Sequence, residues 1–573
     1  MQKHFILLLF LLFTGILFSQ KKKKEKIDTE EITVVKPFSP TVSDANKINV
    51  NPQIDSVDIT TKKKMDYTIN SIPVASTFTP AKGKAKSIQR PPKEKFYKNY
   101  ATLGYGNYKT PIAELFAHYN TSNYNDFGGF IKYHSSGGGI DGVKLDDDFR
   151  NINVDLFYKQ TERYFEWRAD VGYNFLSTNW YGLSEDINFT NNSLKSIQEK
   201  QTYSEVYFGG EIDFFDALVH SGEVKISRLT DKFKSLENYG YINGVVDFPI
   251  GREMMYTNIS LEFINGMFDN NYFQTNDIEY TYFNIGFSPN FEILRENLTL
   301  NLGANLYYSI TNIDEGSKFY AYPNVTASYN ISNDVLIAYA GVVGDLQQNS
   351  YKNFVNENPF VSPTLDIQRT SQQYNGYVGI KGLLNSNLRF NINAAYGNEI
   401  DKPLYKLNPS LTDGKTIVDK GYQAGNSFDV IYDDVTTINV TGEIIFDWSK
   451  AFKFGGNFEF NSYNLDTQAE AWNLPLIKAT LLALYTHKKW NAGADLFFAS
   501  ERKDDLTIIP SSTTRITNDA YFDLNLNGLY NINDKYSVFV NFNNILSDNY
   551  QEYTNFKVQG FQFFAGVKFK FDL

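Results

Sequence analysis

From Phe96 to the C-terminus the apolar residues of this chain recur at every second position, the pattern of a strand with one apolar and one wet face. In the last segment Phe561, Phe563, Ala565, Val567, Phe569, Phe571 and Leu573 share one face. Gln562, Gly566, Lys568, Lys570 and Asp572 share the other, and Phe564 alone breaks the rule. Leu298, Leu300, Leu302, Ala304, Leu306, Tyr308 and Ile310 alternate likewise with Thr299, Asn301, Gly303, Asn305, Tyr307 and Ser309. Phe452, Phe454, Phe458 and Phe460, and again Leu388, Phe390 and Ile392, do the same against polar neighbours. No helical period competes, so the expected class is all-β.

The segments between these ribbons alternate in length. Read back from the C-terminus, 547–558 is long, 532–534 short, 501–518 long, 488 tight, 464–474 long, 449–450 tight, 399–435 long, 385–386 tight and 348–370 long. The series runs upstream to 122–125, with two departures: 107–110 is short where length is expected, and 289–296 is looser than its side predicts. The reading yields about 22 strands. Short turns at one end and long loops at the other describe a transmembrane antiparallel β-barrel with periplasmic turns and external loops. An even count returns the C-terminus to the side on which an exported N-terminus lies. Lipid then covers the apolar faces, and closure removes the unpaired edges of an open sheet. The 47 Phe and 40 Tyr suit interfacial girdles. A soluble sandwich or propeller would need a second protein layer and would not demand such alternation.

The rest of the composition narrows the class. With no Cys among 573 residues, disulfide scaffolds, thiol enzymes and Cys-ligated metal centres are excluded. A net charge of −11 disfavours nucleic acid as a partner. No apolar run reaches the length of a spanning helix; the stretch Phe5 to Phe18, after Lys3 and before Ser19 and Gln20, is expected to be a signal peptide occupying residues 1–20. Residues 21–96 hold 16 Lys/Arg, 9 Asp/Glu and seven prolines, the composition of an extended basic segment, periplasmic or lumenal. Residues 97–573, the expected barrel, hold 37 basic and 56 acidic residues.

The C-terminal region carries a family resemblance. The runs Tyr521-Phe522-Asp523-Leu524-Asn525-Leu526, Asn543-Asn544-Ile545-Leu546 followed by Tyr550, and Gly560-Phe561 leading into the strand with Phe569 and Phe571, resemble the end of a TonB-dependent receptor barrel. The resemblance implies a 22-strand outer-membrane barrel and, at Glu31-Ile32-Thr33-Val34-Val35, a segment similar to the family's TonB-contacting box. It also implies a departure, because 76 residues of this composition ahead of the barrel cannot form the family's plug domain. A cylinder of this size has a backbone diameter of ~40 Å. Its lumen is therefore expected to be filled by the basic segment, by inward-folding loops such as 348–370 or 399–435, or by another protein.

No catalytic or cofactor motif is present. His118, His134, His220 and His487 stand singly, without metal-ligand spacing. Asp146-Asp147-Asp148 beside Gly137 to Gly139 offers carboxylates for Ca²⁺ but lacks the Asp-x-Asp repeat, so a solvated acidic loop is the simpler reading. No cofactor is expected. The reading is a scaffold or accessory subunit of an outer-membrane complex, with outer-membrane lipid and proteins of the outer membrane or periplasm as partners; TonB is a candidate through the segment Glu31 to Val35. The alternatives are a TonB-dependent or passive channel for a solute and, last, an outer-membrane hydrolase.

Overall fold

The computed structural model describes residues 95–573 except 123, 216, 252, 314, 315, 333, 334, 510, 511 and 548. Among the described residues, twenty-two strands form one antiparallel sheet that closes on itself. The seam joins the first strand, Asn99–Gly106, to the last, Gln562–Phe571, with Asn99 opposite Phe571 and Gly106 opposite Phe564. Every other strand pairs with its barrel neighbours in chain order; the hairpin Arg502–Ile508/Ser512–Asn518 and the short pair Gln551–Tyr553/Phe556–Lys557 lie outside the wall. The expected signal peptide, the expected basic segment up to residue 94, and Glu31 to Val35 lie outside the described residues.

One end of the barrel has connections of two to five residues, such as 251–252, 386–387 and 488–489. The other carries 180–199, 349–368, 408–427, 500–520 and 544–561. Two expected boundaries change. The looser connection expected at 289–296 is a two-residue turn, 296–297, because the strand Ile278–Arg295 runs straight through Pro289. The long loop expected over 399–435 shrinks to 408–427, since the strands Leu388–Leu407 and Phe428–Phe446 project past the membrane and stay paired from Lys402 to Leu407. The first connection departs from the alternation as its sequence indicates and is tight: Tyr108 and Lys109 hold φ of 58° and 52°, the two left-handed residues of a hairpin turn that follows strand twist.

Alternation sorts the wall into two faces. Leu103, Phe208, Ile226, Leu481 and Val567 stand exposed on the outside, the surface lipid covers. Phe564 is 5 % exposed and faces inward, where its ring meets His134 and lies over Gly106, which explains its break with the pattern. Inside, tyrosines recline over glycines of the next strand. Tyr207 crosses Gly172 to reach Asp155, and Tyr280 crosses Gly266 to reach Glu237 at 2.7 Å. Tyr339 crosses Gly379 to reach Asn391 at 2.6 Å. Each glycine is required by proximity, because a Cβ there would overlap the ring.

Candidate functional site

The dry core lies at the long-loop end. Val361, Leu365, Ile367 and Phe428 are fully buried, together with Tyr351, Phe354, Val355, Leu506 and Phe556. These residues come from loops 349–368, 500–520 and 544–561 and from the projecting strand ends, so the loops pack into a cap across the mouth.

The cap is anchored to the inner wall by the helix Tyr351–Glu357. Ser350 caps it, its hydroxyl accepting from the Asn353 N–H at 3.1 Å. The helix presents Tyr351, Phe354 and Val355 to the core. Its first N–H groups, on Tyr351 and Lys352, donate to the Glu237 carboxylate at 2.6 and 3.1 Å, satisfying orphan donors at the positive end of the helix. The Lys352 ammonium pairs with Glu205, which is 3 % exposed, and the Tyr351 hydroxyl donates to Asp231 at 2.9 Å. Three carboxylates on successive strands, Lys200–Phe214, Val219–Asp231 and Leu236–Ile250, thus clasp one turn of helix. Burial raises the Tyr351 hydroxyl well above the ordinary tyrosine range, so it stays a donor.

The other loops lock onto this anchor. The Trp180 indole donates to the Phe360 carbonyl at 3.2 Å, and the Asn426 amide donates to the Trp180 carbonyl at 2.7 Å. Phe556 stacks on Phe360 with centroids 3.9 Å apart. Asp504, fully buried in the outer hairpin, accepts from the Leu407 N–H at 3.1 Å and from the Asn473 amide at 2.8 Å. Burial pushes its carboxyl up to about 6 although these donors pull the other way. Arg502, 5 % exposed, donates to the carbonyls of Gln551 and Glu552 at 2.5 and 2.6 Å.

On the inner wall of the strands Trp490–Ala499, Tyr521–Asn531, Tyr536–Asn543 and the last strand lies a cavity of about 520 Å³. Asp495, Asp523 and the amides of Asn525, Asn527, Asn541 and Asn543 line it, and Tyr550 and Gln559 bound its upper end. Below it a second cavity of about 500 Å³ shares Asn527 and Asn541 and brings in Glu114, Lys132, His134 and Lys568.

The residues singled out from the sequence divide between these features. Asn543, Asn544 and Tyr550 line the upper cavity. Asn544, at φ 46°, turns the chain out of its strand: its N–H donates to Asn525 Oδ1 at 3.0 Å, while the Ile545 N–H donates to the Leu524 carbonyl at 2.9 Å. Tyr550 donates to Asp523 at 3.0 Å and stacks on Tyr521 at 3.8 Å. Gly560 lies near Ser547 and Tyr108, Leu546 is exposed, and Phe561 stacks on Phe542. Phe569 stacks on Tyr536 and on Phe571 beside the seam, far along the strand from the cavity. In the acidic loop, the Asp147 carboxylate accepts from the Gly139 and Ile140 N–H groups, and Asp148 accepts from Asn179 and Lys200, so both serve the loop's own fold. Sequence reasoning missed Glu205, Asp231, Glu237 and Lys352. Their one local trace is the apolar content of 349–368, where Phe354, Val355, Val361, Leu365 and Ile367 are too many for a solvated loop.

No family model matches the chain, and no curated protein matches it. Solved structures do. The pyoverdine outer membrane receptor FpvA from Pseudomonas aeruginosa PAO1, bound to pyoverdine, is similar with a TM-score of 0.60 at 13 % identity, over 84 % of this chain and 80 % of that one. The siderophore receptor PirA from Acinetobacter baumannii is similar with a TM-score of 0.62 at 11 % identity, over 84 % and 81 %. The copper transporter OprC gives 0.60 at 11 % identity, over 83 % and 84 %. What these likenesses establish is the fold, a large closed outer-membrane β-barrel of the kind these structures have.

Proposed function

We propose that this chain is a non-conducting outer-membrane barrel that acts as a scaffold or accessory subunit, with the folded cap as its outer face. The observation that carries this reading is the cap itself. Loops of a passive pore leave a wet constriction, whereas here Trp180, Val361, Leu365, Ile367 and Phe428 are buried to completion among loops clasped to the wall by Glu205, Asp231 and Glu237. A surface built this way is rigid, and rigid surfaces dock partners without ordering cost. The full-length protein, purified without harsh detergent and reconstituted in a planar bilayer, should show no steady conductance, and gentle solubilisation should bring down stoichiometric protein partners. A steadily open channel from the intact chain would overturn the reading.

A second reading, a gated solute channel, draws on one observation: the two polar cavities are contiguous through Asn527 and Asn541 along the inner wall. The names of the similar structures, a pyoverdine receptor, a siderophore receptor and a copper transporter, point the same way. In that reading Glu31 to Val35 would be the TonB-contacting segment, and conductance would appear only with TonB engaged.

A further inference from the structure

We infer that the upper, amide-lined cavity is a binding site for a neutral polyhydroxylated ligand, a saccharide of disaccharide size. The inference does not depend on whether the barrel conducts.

The wall supplies a grid of planar polar groups. Asp523, Asn525 and Asn527 follow at two-residue steps, about 7 Å apart, on the inner face of one strand. Asn525 lies opposite Asp495 on one side, and Asn527 lies opposite Asn541 on the other. Much of this hydrogen-bonding capacity is unused within the fold. Asp523 gives one oxygen to the Tyr550 hydroxyl, while its other oxygen is buried without a partner among the described residues. That oxygen is shut off from the cavity, so the lining groups open to a ligand are the Asp495 carboxylate and the Asn527 and Asn541 amides, whose side chains make no hydrogen bond among the described residues.

The chemistry of the lining selects the ligand. No Lys or Arg lines this cavity and two carboxylates do, so phosphates, acidic sugars and anionic metal chelates are repelled. Among the described residues no group of three or more His, Asp or Glu side chains is placed to hold a metal ion. An organic cation would use the carboxylates and leave the amides unmet. A sugar hydroxyl both donates and accepts, as a carboxamide does, and vicinal hydroxyls fit a carboxylate's two oxygens. Tyr550, held parallel to Tyr521 within 4°, adds a fixed aromatic plate at the upper end, suited to the C–H face of a pyranose. The volume, about 520 Å³, lies in the range of small-molecule pockets. The cavity beneath contains Lys132 and Lys568, so the preference for an uncharged ligand belongs to the upper site alone.

The test uses the full-length protein in an amine-oxide detergent, which has no sugar headgroup, titrated calorimetrically with maltose, cellobiose and N,N′-diacetylchitobiose. At least one should bind saturably with Kd at or below the ~1 mM range. Asn541→Leu and the nearly isosteric Asp495→Asn should each weaken it about tenfold or more. Both variants should keep the heat-dependent gel shift of a folded barrel, and Asp495→Asn serves alone if Asn541→Leu does not fold. No saturation with any of the three up to ~20 mM, tighter binding of cellobiouronic acid than of cellobiose, or affinity unchanged in Asp495→Asn would each overturn the assignment.

Discussion

Tyr280 lies across Gly266, its register partner on the adjacent strand, so closely that no side chain could replace the glycine hydrogen. Its hydroxyl thereby reaches Glu237, the residue opposite Gly266 on the far side, and helps fix the carboxylate that receives the helix Tyr351–Glu357. A glycine in the wall thus sets the position of a loop at the mouth. Gly266→Val should displace Tyr280 and destabilise the protein by about 1–3 kcal/mol. Gly240→Val, which adds its methyls into open space, should be near neutral. Urea unfolding in micelles measures both, and hydrogen exchange should show faster amides over 349–368 in the first variant only.

The Lys352–Glu205 pair is the charged half of the same clasp. Lys352→Met strands a buried carboxylate, and breaking such a pair costs about 3–5 kcal/mol. The loss should fall on the cap: protease should cut within 349–368 while the wall stays intact. The double variant Lys352→Met with Glu205→Gln should recover much of the protection, because no charge is left unpaired. Equal sensitivity of the single and double variants would show that the pair does not hold the cap.

Asp504 gives the cap a pH dependence of defined sign. Its carboxyl titrates at about 6 in the fold against an ordinary value of 3.8, so between those values the folded hairpin holds a proton that the opened one releases. Local stability therefore falls as pH rises from about 4 to 6 and is flat beyond. The span corresponds to an amount on the order of 3 kcal/mol. Protection factors over 502–518, with the intrinsic pH dependence of amide exchange divided out, should rise on mild acidification, and Asp504→Asn should flatten that profile. A profile that steepens toward alkaline protection would contradict the assignment.

Leu481 stands 59 % exposed at mid-strand on the outer face, with Thr480 beside it on the inner. Leu481→Arg should cost about 2–4 kcal/mol in a bilayer, the penalty of a cation near the hydrocarbon midplane, and Thr480→Arg much less. Unfolding from phospholipid vesicles distinguishes them. Equal effects would mean that hydrocarbon does not cover this face.

The wall was legible from sequence because its rule is local. Leu302 and Asn301 differ in side by adjacency alone, and the turns between ribbons show as breaks in that rhythm. Strand ends beyond the membrane were less legible: Lys402–Leu407 pairs with Phe428–Asp433 where polar and aromatic residues mask the alternation. The upper cavity was half visible, since Asp523-Leu524-Asn525-Leu526-Asn527 already places three polar side chains on one face. Inward folding of a loop such as 348–370 was expected from the sequence, but the contacts that hold the cap were not legible. Glu205, Glu237 and Lys352 meet only because the cylinder brings their strands and loop together, a contact no spacing encodes.

The seam between Asn99 and Phe571 has a temporal consequence. The first strand acquires its second neighbour only from the last, Gln562–Phe571, so the sheet keeps an open edge until those two strands meet. Spontaneous ring formation from such distant partners is slow and exposed to aggregation. Closure of the cylinder is thus completed by a single zipper of backbone bonds.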